Sequence, residues 1–256
     1  MNLPARVDAL IGLRRHEVGT GVVGLVPIAE HTRHAAGGLR TGVLLAALDA
    51  TGGLACGLAS LPAWTVSTSL MGVLSEHAHT GPLRLDATVL RASRARVVAS
   101  VDIRDEGNDG LRVGHGLLTT SVLDPAEGPP PFQRPVRAEP APAEVDDLEA
   151  AFGIEPGDGP TTRLVLHDAL RNRWRILHGG AVAMLVDTAA ARAAGGGVVA
   201  RTVLHFLAPA RTGPVEARCT VVGRDREAVV VRLSVHDTGH DDRTVALASA
   251  TVLRAP

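Results

Sequence analysis

The run of apolar and polar positions in the second half of the chain predicts one apolar helix, near Gly180 to Ala194, followed by β-rich runs near Val198–Ala208, Val215–Val222, Ala228–His236 and Thr244–Leu253. Gly223-Arg224-Asp225 and Asp237-Thr238-Gly239 supply turns between them. The first half gives the same coarse pattern, an apolar helical stretch and then β-rich runs. A helix followed by consecutive strands, without βαβ alternation, argues for an antiparallel α+β domain and not a parallel sheet. Each helix is expected to be buried.

The two patterns are copies. Arg40-Thr41-Gly42-Val43-Leu44-Leu45-Ala46-Ala47-Leu48-Asp49 lies over His178-Gly179-Gly180-Ala181-Val182-Ala183-Met184-Leu185-Val186-Asp187 at an offset of 138, with the second glycine and the aspartate superposed. Gly81-Pro82-Leu83 lies over Gly213-Pro214-Val215 at an offset of 132, and the register then holds through Asp105 over Asp237 and Gly107 over Gly239. Six residues are thus missing between helix and sheet in the second copy. Between the copies, Asp124 to Glu144 shifts to Pro, Ala and Glu. So many prolines remove amide donors and fix φ too often for a helix interior or a central strand. The expected organisation is a repeat over 1–123, a Pro-rich linker over 124–144, and a second repeat over 145–256.

Composition narrows the function classes. With 45% hydrophobic and 21% charged residues the chain can bury a core, and with 2% aromatics and no Tyr that core must be Ala, Val and Leu. The formal net charge is -1 and the arginines are interleaved with acids, so neither a phosphate-backbone footprint nor base-stacking platforms appear, and nucleic acid is not an expected partner. Cys56 and Cys219 are isolated, which suits a reducing compartment and gives no metal-knuckle spacing; both read as small core residues. Arg6, Asp8, Arg14 and Arg15 break any apolar run at the N-terminus, and glycines and Pro62 interrupt Thr41 to Ser75, so neither a signal peptide nor a membrane span is expected. Cytoplasmic residence is the expectation.

Two aspartates stand out. Asp49 is the only Asp, Glu, Lys or Arg between Thr41 and Ser75, set among Leu44, Leu45, Leu48, Leu54 and Leu58. A buried, unpaired carboxylate is costly and is retained mainly where it has a partner or a task. Asp187 repeats the position. A plainer reading puts each at a helix edge, bonding a backbone amide. Asn172-Arg173-Trp174-Arg175-Ile176-Leu177-His178-Gly179-Gly180 leads into the second helix, and amides at a helix start can polarise a carbonyl oxygen. His-Gly-Gly alone could equally be a turn.

Asn, five residues, His-Gly-Gly, six residues and Asp, with Phe206-Leu207-Ala208-Pro209-Ala210 and Val222-Gly223-Arg224 further on, resembles the PaaI-like acyl-CoA thioesterases of the hotdog superfamily. The similarity covers most of Asp147 to Leu253 and reaches the first half through the repeat. It implies two tandem hotdog folds, each a sheet wrapped round a long helix, paired as one family dimer would be. Sites would lie at the pairing surface and need no cofactor beyond the coenzyme A of the substrate. One would join Asn172, His178 and Gly179 to Asp49, with Ser67 or Thr68 assisting unless they are ordinary strand polarity. The other would join Asp187 to His34, Arg40 and Thr41, which replace Asn, His and Gly. Hydrolysis is not expected there, because guanidinium cannot act as a base; the site is vestigial or holds an anionic group. Arg171, Arg173 and Arg175 either meet coenzyme A phosphates or form a solvated face. The implied function is hydrolysis of an acyl-CoA thioester, with a non-catalytic acyl-CoA-binding or scaffold protein and another hotdog enzyme, a hydratase or acyl-transfer partner, as alternatives. A homo-oligomer of the double chain is compatible with all three.

Overall fold

The computed structural model describes residues 6–75, 79–123 and 143–254. Of the expected linker, 124–142 lies outside these residues. Each half lays down a short helix, a hairpin, a long helix and four long strands. In the first half these are α1 (Arg6–Leu10), β1 (Arg14–Val18), β2 (Gly21–Val26), α2 (Thr41–Ala59), β3 (Trp64–Leu74), β4 (Leu83–Ala92), β5 (Arg96–Asp105) and β6 (Leu111–Leu123). In the second they are α3 (Leu148–Ala151), β7 (Ile154–Pro156), β8 (Thr162–Leu164), α4 (Gly179–Ala194), β9 (Val198–Phe206), β10 (Val215–Arg224), β11 (Ala228–Asp237) and β12 (Arg243–Leu253). The expected helix and four strands of the second half all form, with ends moved by one or two residues. The hairpins β1–β2 and β7–β8 had no counterpart among the expected elements.

The strands form one antiparallel sheet in the order β1-β2-β4-β5-β6-β3-β9-β12-β11-β10-β8-β7. Its two halves join where β3 pairs with β9, from Ser69 opposite His205 to Val73 opposite Arg201. At the centre of this seam Met71 faces Val203, its own counterpart at the sheet offset of the repeat. The halves are therefore related by a pseudo-two-fold axis through the seam, and neither β3 nor β9 is left as an open edge.

The helix α2 packs on β2 to β6 and α4 on β8 to β12, and the two helices pack on each other. Because α2 is covered on nearly all sides, it has no polar face: Val43, Leu44, Leu45 and Leu48 are fully buried. By length and composition it could cross a membrane, but 78% of that window is buried inside the protein. Small residues let the helices approach. A Cβ on Gly42 would lie 2.8 Å from Asp187 Cβ and from Met184 Sδ, and one on Gly180 would lie 2.9 Å from Ala46 Cα.

The repeated aspartates at the ends of β5 and β11 tie the loop before the neighbouring strand. Asp105 accepts hydrogen bonds from the amides of Thr80 (2.8 Å) and Gly81 (2.7 Å). Asp237 accepts from Arg211 (2.7 Å), Thr212 (3.1 Å) and Gly213 (2.7 Å). Burial pushes the Asp237 carboxyl upward, but the three amides outweigh it and hold it below its ordinary 3.8. Such a lowered group stabilises the fold fully above the unfolded value, and its contribution is lost as pH falls through the folded one. Asp237→Ala is expected to cost roughly 2–4 kcal/mol in urea unfolding at neutral pH by stranding those amides. The difference from the parent should shrink as the pH is taken below about 3.8.

Candidate functional site

Where α2 and α4 cross, the first turn of each helix rests on the aspartate of the other, giving two crossings related by the pseudo-two-fold axis. At the first, Asp49 lies against Gly179, so closely that a Cβ there would stand 2.7 Å from Asp49 Oδ2 and 3.2 Å from Phe206 Cζ. Glycine is required by this approach. Asp49 is 7% exposed and accepts a hydrogen bond from Ser67 Oγ at 2.5 Å. The Ser67 side chain is aimed by a bulge: Thr68 is the extra residue between Ser67, opposite Thr120, and Ser69, opposite Thr119. Thr68 Oγ1 donates to the Thr119 carbonyl at 3.1 Å, so of the two hydroxyls only that of Ser67 meets Asp49.

His178 caps α4, its Nδ1 accepting from the Gly180 amide at 3.0 Å and standing 3.8 Å from Asp49 Oδ2. An acceptor Nδ1 places the neutral ring's proton on Nε2. The Ala181 and Val182 amides donate to the His178 carbonyl, which leaves Gly179 N–H as the first-turn amide without an acceptor inside the helix. Asn172 Oδ1 accepts from the amides of Trp174 (2.9 Å) and Ile176 (3.4 Å) and so shapes the loop, while its NH2 group lies outside these bonds. A buried carboxylate, a hydroxyl on it and an open amide at a helix start can bind a carbonyl oxygen and activate water beside it.

At the second crossing the same frame holds different chemistry. Arg40 stands at the capping position and has no acceptor to offer, so the Gly42 amide hydrogen-bonds Asp187 instead. Arg40 Nε lies 3.5 Å from Asp187 Oδ2, and its NH2 donates to Glu149 Oε1 (3.1 Å) and Thr188 Oγ1 (2.9 Å). Arg192 also binds Glu149, at 2.6 Å. Burial pushes the Asp187 carboxyl above its ordinary range, with Arg40 and the Gly42 amide opposing. The position of Ser67 is taken by Val199, whose carbonyl accepts from Thr41 Oγ1. His34 copies Asn172: its Nδ1 accepts from Ala36 N–H at 3.1 Å, two residues on.

The arginines of the 171–175 loop are mostly engaged within the protein. Arg171 bonds the carbonyls of Arg175 and Arg211 and pairs with Asp168; Arg173 lies over the Trp64 ring at 4.6 Å; Arg175 is exposed, 3.7 Å from Asp168. Trp64 meets Trp174 edge to face at 5.8 Å, a contact between the repeats beside Asn172. The chain holds only these two tryptophans, so their rarity was a usable signal; nothing marked Glu149, one acid among 27. Burial pushes the thiols of Cys56 and Cys219 up to about 11, so neither is a ready nucleophile. Among the described residues, no group of three or more His, Cys, Asp or Glu is placed to hold a metal.

Residues 170–253 match the family model of the acyl-CoA thioesterase N-terminal domain. No curated protein matches the chain. Solved structures match over almost the whole length. An acyl-ACP thioesterase from Bacteroides thetaiotaomicron is 13% identical with a TM-score of 0.62, covering 91% of this chain and 97% of that one. A tesB protein from Mycobacterium avium subs paratuberculosis is 12% identical at 0.64, covering 97% and 98%. A protein of unknown function with a hot dog fold from Alicyclobacillus acidocaldarius is 14% identical at 0.57, covering 98% of each. The chain is a double hotdog. At these identities the structures speak for the fold of both repeats, and the family match lies within the second repeat of the double hotdog.

The Arg40–Asp187 pair makes a stability prediction for the double hotdog. Arg40→Met strands the buried carboxylate and is expected to cost roughly 2–4 kcal/mol at neutral pH, with Arg40 near the lower end because part of it meets water. The loss should shrink as pH falls and Asp187 takes up a proton, and adding Asp187→Asn should restore most of it. Denaturant melts of parent, single and double variants at two pH values measure both.

Proposed function

We propose that this double hotdog hydrolyses an acyl-CoA thioester at the first crossing, as an enzyme of the PaaI-like kind acting in the cytoplasm. The carrying observation is Asp49 of the first repeat lying against Gly179 at the start of α4 in the second, with Ser67 bonded to its other oxygen. The thioester carbonyl oxygen accepts from Gly179 N–H, where the positive end of α4 favours the charge that develops on it. Asp49 takes a proton from water as the water oxygen bonds the carbonyl carbon; the C–S bond then breaks and the thiolate leaves with the proton that Asp49 took up. Ser67 fixes the carboxylate that does this. Asn172 NH2 and His178 Nε2–H supply donors that orient water and substrate, since the other polar atom of each side chain is bound to the loop or the helix.

A chromogenic free-thiol assay over a panel of acyl-CoA esters tests the reading. Asp49→Asn is expected to lower kcat by about 10³-fold or more, as loss of a positioned base does, and Ser67→Ala by about 10-fold. Asp187→Asn should leave most of the activity. Acyl-CoA that binds without release of thiol would make the chain a non-catalytic binder, and loss confined to Asp187→Asn would move the chemistry to the other crossing.

A further inference from the structure

The second crossing opens on a cavity of about 260 Å³ whose lining includes Arg33, His34, Arg40, Asp187, Ala191 and Val199. It lies below the roughly 300–1,000 Å³ of sites for drug-sized ligands, so its occupant is small. Its polar lining is two guanidiniums against one carboxylate, and that carboxylate is already matched by Arg40 and the Gly42 amide.

Donors remain unspent on this lining. Arg40 uses Nε and one NH2 on Asp187, Glu149 and Thr188, leaving Nη1 outside those contacts. Arg33 uses Nη1 on the carbonyls of Gly37 and His79, leaving Nε and Nη2 outside them. His34 spends Nδ1 on the Ala36 amide, so its proton sits on Nε2, a buried atom with no hydrogen-bond partner among the described residues. Thr41 begins α2 with an amide that has no acceptor within the helix. Ala35, Ala191, Val198 and Val199 make the rest of the wall aliphatic. Donors with net positive charge at one end and a short aliphatic wall at the other match a planar anion with a small apolar tail.

We propose that the second crossing is a binding site for a small aliphatic carboxylate, held by Arg40, Arg33 and His34 Nε2–H with its tail against Ala191 and Val199, and that it binds without hydrolysing. The assignment stands on the cavity and its donors and is independent of whether the first crossing turns over thioesters. It explains why a site whose aspartate is engaged by Arg40, and which has no Ser67 counterpart, still presents guanidinium donors. Inorganic phosphate shares the charge but has no tail for the aliphatic wall.

Calorimetric titration of the full chain with sodium butyrate tests the assignment. Saturable binding of one butyrate per chain is expected. His34→Ala should weaken it about 10-fold, the scale of one hydrogen bond to a charged group. Ala191→Leu, which fills the cavity without touching a charge, should weaken it more than 10-fold. Asn172→Ala, the counterpart of His34 at the first crossing, should leave it within about twofold, and phosphate should bind at least 10-fold more weakly than butyrate. The proposal is overturned by absent or non-saturable butyrate binding, by binding indifferent to both His34→Ala and Ala191→Leu, by binding lost in Asn172→Ala, or by phosphate binding as tightly as butyrate.

Discussion

Everything in this molecule follows from two long helices crossing closely enough for each to seat its first turn on an aspartate of the other. That approach is steric before it is chemical. Gly42, Gly179 and Gly180 sit where a single added carbon would meet Asp187, Asp49 or Ala46 at less than contact distance. The crossing is held from outside by a sheet that runs unbroken through the β3–β9 seam, so the helices cannot separate without disturbing strands that pair across the same axis. A carboxylate buried in this way has few partners to choose from: Asp49 takes the Ser67 hydroxyl and Asp187 the Gly42 amide and Arg40.

What each aspartate can then do is set by the residue that caps the opposing helix. His178 brings its own acceptor, Nδ1, and satisfies the Gly180 amide, which leaves Asp49 to bond Ser67 and to lie against Gly179. Arg40 carries donors only, so the Gly42 amide must look elsewhere and takes Asp187. The guanidinium then claims the same carboxylate. One change of side chain thus converts an aspartate with a spare oxygen into one that is structural. Val199, standing where Ser67 stands in the other half, removes the hydroxyl that would have held the carboxylate open.

Much of this was legible in the residues because the repeat carried it. The offset of 138 made Asp49 and Asp187 counterparts, the family resemblance implied that Asp49 would face Gly179, and Met71 facing Val203 is the sheet offset of 132 seen as a strand pair. The apolar run of α4 and the turn residues near Gly223 and Asp237 matched the elements of the second half to within a residue or two. Short hairpin strands such as β7, of three residues, lie below what periodicity can resolve. The separation of Ser67 from Thr68 depended on a β-bulge, which turns one of two adjacent hydroxyls toward the helix and the other toward a strand carbonyl; adjacent polar residues in a strand carry no mark of that choice. Arg173 lying over Trp64 and Glu149 bridging two arginines were hidden for a related reason. Each joins elements of different repeats, and a linear sequence does not show which loops the pseudo-two-fold axis brings together.

Fusion of the two repeats is what permits the crossings to differ. In a symmetric pair of identical chains each interface residue acts twice, so replacing a histidine cap by arginine would alter both crossings at once. With both repeats on one chain, Arg40 and His178 are separate positions and can answer to separate demands. The outer frame must still be shared, and it is: both central helices keep their second-position glycine, both aspartates keep their place, and both strands beside the seam keep a bulge, at Thr68 and at Ala200. At the crossings, divergence of the side chains changes what surrounds each aspartate without changing how the helices meet. The proposed hydrolysis at one crossing and anion binding at the other therefore need no further architecture than the one buried aspartate per helix that the repeat supplied.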